Sequence, residues 1–370
     1  MSLPVVSIFE GAYEAHIRLA AERLRAGALV VLPTETVYGA VAALDRPDAL
    51  ARLRQLRPSD QPRPFIPHLA RPGDSGRFLG PLSEFGQRCV RKLWPGPVAL
   101  VFDVPAERRR QVAASFRLNE SDLFEDQTIT LRCPDQIVFT DVVAQAGAPV
   151  AAVKAGSNQA AGGHDLSHEL EGKVDLVLDA GPPRFSKPST IVRVHDDSYE
   201  ILRPGIYDQR IIERLLRTTI MFVCSGNTCR SAMAEALTRH ILAEKMHVPE
   251  EELEKKGVQV LSAGAMAMPG SRATPAAVDA VKELGADLSR HRSRMLSVEL
   301  IHQADMIFAM GKNHARAVTA LVPSAAEKVA TLNPAGDIDD PIGGDNALYH
   351  QLAGELRTLI EQRLQETVLL

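Results

Sequence analysis

From Thr219 onward the chain alternates apolar runs of strand length with stretches of helical period, and no other feature restricts its fold as much. The strand runs fall at 220–223, 258–261 and 306–309; the helical stretches fall at about 231–245, 275–284 and 313–321, with a long helix from about 347. Alternation of this kind predicts a doubly wound parallel sheet, an α/β arrangement with helices on both faces.

The first half reads differently. Ile17, Ala20, Ala21 and Leu24 share one helical face that Gly27 closes, and a buried-strand run at 28–32 ends at Pro33. Further β-type runs at 98–102, 174–178 and 189–194 are separated by loops rich in Pro and Gly. The irregular spacing predicts a twisted mixed α/β domain covered by helices. The segment ILRPGIYDQRIIERLLRTT marks a boundary, so the expected domains are 1–213 and 217–370.

A length of 370 residues suits two such domains. Residues 1–216 carry 26 Lys and Arg against 27 Asp and Glu, and residues 217–370 carry 16 against 19. Neither half has the bulk positive charge of a non-specific nucleic-acid binder. Aromatics make up 5% of the chain, too few for an extended base-stacking platform. Four cysteines exclude a disulfide scaffold and point to thiol chemistry in a reducing compartment. The N-terminus lacks the pattern of a signal peptide, and no apolar run reaches the roughly 18–20 residues that span a bilayer. The expectation is a soluble cytoplasmic protein without a membrane partner.

The run IMFVCSGNTCRSAMAEAL concentrates the chemistry. A strand ends just before Cys224, a loop of Ser225, Gly226, Asn227, Thr228 and Cys229 follows, and Arg230-Ser231 opens a helix. Backbone N–H groups and the helix dipole make such a loop a cradle for a tetrahedral oxyanion, and the same field favours a thiolate. Arg230 would grip two phosphoryl oxygens. Phosphoryl transfer to a thiolate also needs a proton donor, and DIDDPIGGD offers Asp337, Asp339, Asp340 and Asp345, of which Asp340 is stiffened by Pro341. Cys229 is either a partner for a reversible disulfide with Cys224 or a small residue that fills space.

Taken in order, CSGNTCRSAMAE, SAGAMAMPG, LSRHRSRML, ADMIFAM and DDPIGG resemble the low-molecular-weight protein tyrosine phosphatase family across 218–370. The resemblance implies Cys224 as nucleophile, Arg230 as phosphate clamp, and Asp340 as general acid and then general base. Ser231 would tune the thiolate, Asn227 would hold the loop in shape, and no metal is needed. Tyrosine-specific members usually carry a larger aliphatic residue where this chain has Thr228. The protein-arginine phosphatase branch has threonine there, so phosphoarginine is favoured over phosphotyrosine, both on a phosphoprotein.

In the first half, LRAGALVVLPTETVYGAVA places Thr34, Glu35, Thr36 and Tyr38 just after a strand, where α/β sheets put ligand contacts. Arg52, Arg54, Arg57 and Arg63 cluster next. Together with LWPGPVALVF, TLRCPD, AGSNQAAGG, KPSTIV and ILRPG, these motifs resemble the YrdC-like threonylcarbamoyl-adenylate synthases over about 10–207. That implies ATP with Mg2+, L-threonine and bicarbonate as the reacting set, and a product used by tRNA-modification enzymes. Thr34, Tyr38 and His68 would lie near threonine and the nucleotide, with Arg57, Arg132, Ser157, Asn158, Ser189 and Arg203. Two departures stand out: a phosphate-facing lysine of the family is Gln55 here, and the first serine of its Ser-x-Asn element is Gly156. Lys154 is placed to restore the lost charge. Two readings stay open, a working synthase fused to a phosphatase, or a phosphatase carrying a silent nucleotide- or RNA-binding module.

Overall fold

The computed structural model describes residues 3–57, 64–156, 162–185 and 187–366. They form two compact units, Met1–Leu216 and Arg217–Leu370. No helix among the described residues is long and apolar enough to cross a membrane.

The N-terminal unit is built on one mixed sheet of eleven described strands. Across it run Val5–Ser7, Leu176–Asp179, Val30–Leu32, Gly39–Ala43, Val150–Lys154, Ile66–His68, Thr128–Arg132, Val98–Asp103, Thr190–Val194 and Tyr199–Arg203, with Phe124–Glu125 beside Thr128–Arg132. The period-2 alternation of a strand divides the side chains between two cores. Val31, Ala40, Ala42, Ala151 and Val177 enter one, with Leu53, Phe65, Phe78 and Leu131. Val30, Leu32, Val41, Val150 and Leu178 enter the other, under the helices Tyr13–Arg25 and Ile137–Ala146. Ile17, Ala20, Ala21 and Leu24 form the buried stripe of Tyr13–Arg25, as their spacing predicts.

Two strands in the middle of the sheet, Gly39–Ala43 and Val150–Lys154, have no counterpart among the predicted β-type runs. Their sequences, GAVAA and VAAVK, are rich in alanine, which has little intrinsic strand preference. Close packing of small side chains between two cores selects them instead.

The C-terminal unit has a four-stranded parallel sheet, ordered Val258–Gly264, Thr218–Cys224, Met306–Ala309, Val329–Thr331. Every residue of Thr218–Cys224 is buried. Ile220, Phe222 and Cys224 face the helices Arg230–Met246, Pro275–Glu283 and Asn346–Gln365, while Met221 and Val223 face Ile301 and Val318 on the other side. Helices therefore cover both faces, as the alternation requires. The three-residue strand Val329–Thr331 is too short to carry a periodic signal.

In the N-terminal unit, the KPSTIV and ILRPG segments turn out to be one crossing. Ile206 N–H donates to the Pro188 carbonyl at 3.1 Å, and the Thr190 hydroxyl donates to the Tyr207 carbonyl at 2.7 Å. A Cβ on Gly205 would sit 2.4 Å from Pro188 O and 2.5 Å from Thr190 N. Both obstacles are backbone atoms and cannot swing aside. Gly205→Ala is expected to destabilise the N-terminal unit by about 3 kcal/mol, the upper part of the range for overpacking. Urea unfolding followed through Trp94, the single tryptophan, measures this directly.

Candidate active sites

At the end of Thr218–Cys224 the chain turns through 225–229 into the helix Arg230–Met246. Asn227 makes the turn with φ +56, a left-handed conformation that asparagine tolerates better than most residues. Its side chain is fully buried and saturated. Nδ2 donates to Ser231 Oγ at 2.9 Å and to Ser262 Oγ at 2.8 Å, and Oδ1 accepts from Arg294 N–H at 2.8 Å. The Ser262 hydroxyl passes its own proton to Glu235, and His291 Nε2 meets the Asn227 carbonyl at 2.7 Å.

This polarity sets the direction of the bond that matters. Ser231 Oγ accepts from Asn227, so its hydroxyl proton is available to Cys224 Sγ, 2.9 Å away. Asn227 N–H also points at Sγ, at 3.2 Å. Two donors thus converge on the sulfur, an arrangement suited to a thiolate. Gly264 makes room for the loop: a Cβ there would lie 2.5 Å from the Ser225 carbonyl and 3.0 Å from Asn227 N.

Arg230 is buried at the first turn of the helix. It donates through one terminal nitrogen to the Ile338 carbonyl at 2.9 Å and through the other to Asp340, whose carboxylate is 43% exposed. Asp340 therefore reaches the arginine beside the cysteine from a loop 110 residues away. Asp337 is turned elsewhere and accepts from Lys312 N–H at 2.8 Å. Cys229 packs against Thr274 and Tyr349, with its sulfur 3.5 and 3.6 Å from their hydroxyls, and both cysteines are free thiols. Thr228 is half-buried, with its hydroxyl over Gly226.

His314 joins the site without having been singled out in the sequence. Its Nε2 lies 2.9 Å from the Ser225 hydroxyl, and burial with the nearby Arg230 charge holds its pKa below the ordinary histidine value. The available signal was a histidine at the start of a helix that directly follows a strand of a parallel sheet.

In the N-terminal unit the register assembles the site. Arg203 stands opposite Ile191, Ile191 opposite Ala99, Ala99 opposite Arg132, and Arg132 opposite His68. Directly opposed residues share a face, so Arg203, Arg132 and His68 line one row across the sheet. His68 is also opposite Val150, which places the row on the face that Tyr13–Arg25 and Ile137–Ala146 cover only in part. That face is apolar under the helices and polar beyond them.

Arg132 donates to Glu35 at 2.9 Å and to the Thr36 hydroxyl at 2.8 Å, in a pair that is almost fully buried. Thr34 closes its own turn, accepting from Thr36 and Val37 N–H and donating to the Val37 carbonyl at 2.6 Å. His68 Nδ1 lies 2.8 Å from the Ile66 carbonyl, which makes Nδ1 the protonated nitrogen and leaves the Nε2 lone pair as an acceptor. Tyr38 is a strut: its buried hydroxyl donates to the Gly181 carbonyl at 2.8 Å and accepts from Ala180 N–H at 2.9 Å. Its donor is therefore engaged inside the fold and not offered to threonine or a nucleotide. Ser189 is buried, and its carbonyl accepts from Arg203 at 2.8 Å.

A cavity of about 640 Å3 is lined by Gln55, Arg57, Ile66, Lys154, Gly156 and Lys173 among others, with side chains drawn from both faces of the sheet. Arg57 stacks over the Phe65 ring at 4.3 Å. Lys154 does lie in the cavity that holds Gln55, and Lys173 is a second cation that the motifs did not indicate. Gly156 has φ +68, a left-handed conformation that favours glycine, and a Cβ there would approach the Leu166 side chain to 2.5 Å. Arg63, Ser157 and Asn158 lie outside the described residues.

Comparison with known proteins follows this division. The family model for low molecular weight phosphotyrosine protein phosphatase matches residues 219–368, and the Sua5_yciO_yrdC model, described as telomere recombination, matches 22–205. The chain is 40% identical over 148 residues to the protein-arginine-phosphatase of Bacillus subtilis, covering 39% of this chain and 92% of that relative. It is 29% identical over 209 residues to the threonylcarbamoyl-AMP synthase of Bacillus subtilis, covering 55% of this chain and 57% of that relative. It thus spans little more than half of the synthase's length. A solved structure of Pyrococcus abyssi Sua5 is similar in fold, with a TM-score of 0.50 at 20% identity over 72% of this chain and 92% of that one. Through residues 219–368 the chain belongs to the low-molecular-weight phosphotyrosine protein phosphatase family; its N-terminal unit is similar to the Sua5_yciO_yrdC model over residues 22–205.

Burial, with the Arg132 charge beside it, pulls the His68 pKa down to about 3. An unfolded histidine takes its proton near 6.5. The unfolded chain therefore binds the extra proton between these values, and the stability of the N-terminal unit is full above pH 6.5 and falls as pH drops toward 3. The slope is at most about 1.4 kcal/mol per pH unit from this group. Urea midpoints read through Trp94 should fall below pH 6.5, and His68→Asn should flatten that part of the profile.

Proposed function

We propose that the chain is a bifunctional enzyme, a protein phosphatase of the phosphocysteine type joined to a threonylcarbamoyl-AMP synthase, working in the cytoplasm. The observation that carries the phosphatase half is the convergence of the Ser231 hydroxyl and Asn227 N–H on Cys224 Sγ beside a buried Arg230.

The sulfur attacks phosphorus, and an S–P bond forms as the bond from phosphorus to the substrate nitrogen or oxygen breaks. Arg230 keeps one N–H on the Ile338 carbonyl and turns its remaining N–H groups from Asp340 to the phosphoryl oxygens, where bidentate contact stabilises the transition state. Asp340, released from the arginine and protonated from solvent, hands that proton to the leaving group. It then takes a proton from the water that attacks phosphocysteine, so that inorganic phosphate leaves and the thiolate returns. No metal takes part in these steps.

Phosphoarginine is the favoured substrate. Besides Thr228, the three aromatic side chains of residues 217–370, Phe222, Phe308 and Tyr349, are all buried. No exposed Phe, Tyr or Trp ring stands near the pocket to stack on a phosphotyrosine.

For the synthase half, the cavity with Arg57, Lys154 and Lys173 supports triphosphate binding, and the row of His68, Arg132 and Arg203 supports threonine and adenylate binding. The His68 Nε2 lone pair suits the threonine hydroxyl, with Thr34 beside the same polar face. Mg2+ bound with ATP would neutralise phosphate charge in the cavity lined by Arg57, Lys154 and Lys173. The product, threonylcarbamoyl-AMP, passes to enzymes that modify tRNA. Gly156 supports the second reading, a silent binding module, because the first hydroxyl of the synthases' Ser-x-Asn element is missing there.

Cys224→Ser should abolish hydrolysis of a small aryl phosphate and of phosphoarginine while phosphate or vanadate still binds; substantial residual turnover overturns the mechanism. Pyrophosphate release that requires ATP, L-threonine and bicarbonate together establishes the synthase, and its absence establishes the silent module. Within a working synthase, Lys154→Ala should lower turnover about 10²-fold, the effect of losing one charged contact to the transition state.

A further inference from the structure

The described residues of the C-terminal unit leave few large apolar side chains exposed, and most gather at one place. Met266, Met268, Met295 and Ile342 are 76%, 78%, 45% and 69% exposed. The backbone ties three of their loops to the phosphate site. Ala265 N–H donates to the Cys224 carbonyl at 2.9 Å, and Met266 N–H donates to the Ser225 carbonyl at 3.0 Å. Gly264 is the register partner of Cys224 and bridges in turn to Met295. Ser293, two residues earlier, donates its hydroxyl to the Met268 carbonyl. Ile342 N–H donates to Asp340 at 3.3 Å, next to Arg230. Val298 and Leu348, 41% and 40% exposed, follow in the same stretches of chain. Leu321 is the exception, at the far end of the helix Lys312–Leu321, whose near end brings His314 to Ser225.

Large apolar side chains exposed on loops that border one site mark an interaction surface, and methionine, unbranched and polarisable, adapts to varied aliphatic partners. Any protein that delivers a phosphorylated side chain to Cys224 must lay the neighbouring chain across these loops. We propose that Met266, Met268, Met295 and Ile342 form a docking rim for the polypeptide on either side of the phosphorylated residue, selecting substrates with aliphatic neighbours. This rests on the phosphatase reading. Buried aromatics leave the rim without rings, so its selectivity is for aliphatic flanks and not for stacking.

The test compares one phosphopeptide with Leu and Val flanks, a second with Lys and Ser flanks, and a small aryl phosphate as a probe of the chemistry alone. The wild-type chain should prefer the aliphatic peptide. Met266→Ser/Met268→Ser should raise KM for that peptide about tenfold, with kcat and aryl phosphate turnover unchanged. Met266→Leu/Met268→Leu should retain the preference, which separates lost apolar surface from a local rearrangement. Equal KM values for the two peptides in the wild type overturn the proposal, as does an equal loss on the aryl phosphate in the serine variant. A wild-type dimer that the serine variant turns into monomer overturns it in favour of a second copy. Absence of aryl phosphate turnover in the wild type removes the phosphatase reading itself, and the rim with it.

Discussion

Asn227 is a buried amide in a left-handed backbone, and the whole phosphate site is arranged around it. The conformation costs about 1–2 kcal/mol for a residue with a Cβ. Three side-chain hydrogen bonds, each contributing roughly 0.5–1.5 kcal/mol, offset that cost. The bonds also transmit direction. Because the Asn227 amide donates to both Ser231 and Ser262, one serine can turn its proton to Cys224 and the other to Glu235. Replace the amide and two buried hydroxyls lose a donor at once. Gly264 belongs to the same device, since only a strand without a Cβ at that point lets the loop lie close enough.

The N-terminal unit solves a different problem. One sheet face must hold a hydrophobic core and also present charge. It does both by covering only part of that face with Tyr13–Arg25 and Ile137–Ala146 and leaving the rest to His68, Arg132, Arg203 and Lys154. Burying Arg132 is tolerable because Glu35 and Thr36 meet it directly, since an unpaired buried guanidinium would be strongly destabilising. Burial, with the Arg132 charge beside it, keeps a proton off His68, so the neutral imidazole is a consequence of the arrangement.

The two sites place charge in opposite ways. In the C-terminal unit a single arginine, anchored by a carbonyl and faced by one carboxylate, serves a compact loop. In the N-terminal unit cations are spread along strands and around a cavity, an arrangement suited to a longer, multiply charged ligand. Gln55 shares that cavity with Lys154 and Lys173.

Most of the C-terminal unit was legible because its information is local. The strand, the loop, the helix start and the cysteine all lie within one contiguous run, and the strand–helix rhythm specifies a parallel sheet without knowledge of which strands pair. Asp340 could be named as a candidate from its loop, but only folding brings its carboxylate to Arg230. His314 and Lys173 carried no motif and became visible through position alone. In the N-terminal unit the motifs marked Thr34, His68, Arg132 and Arg203 separately. The common row of His68, Arg132 and Arg203 depends on register between strands that are scattered through the chain. Tyr38, offered by its motif as a ligand contact, is a strut because the 179–181 turn packs against its hydroxyl. The amino-acid sequence by itself determined the chemistry available and the local turns that present it. Tertiary structure decided which groups meet, because register and burial are set by contacts between distant segments that no local pattern encodes.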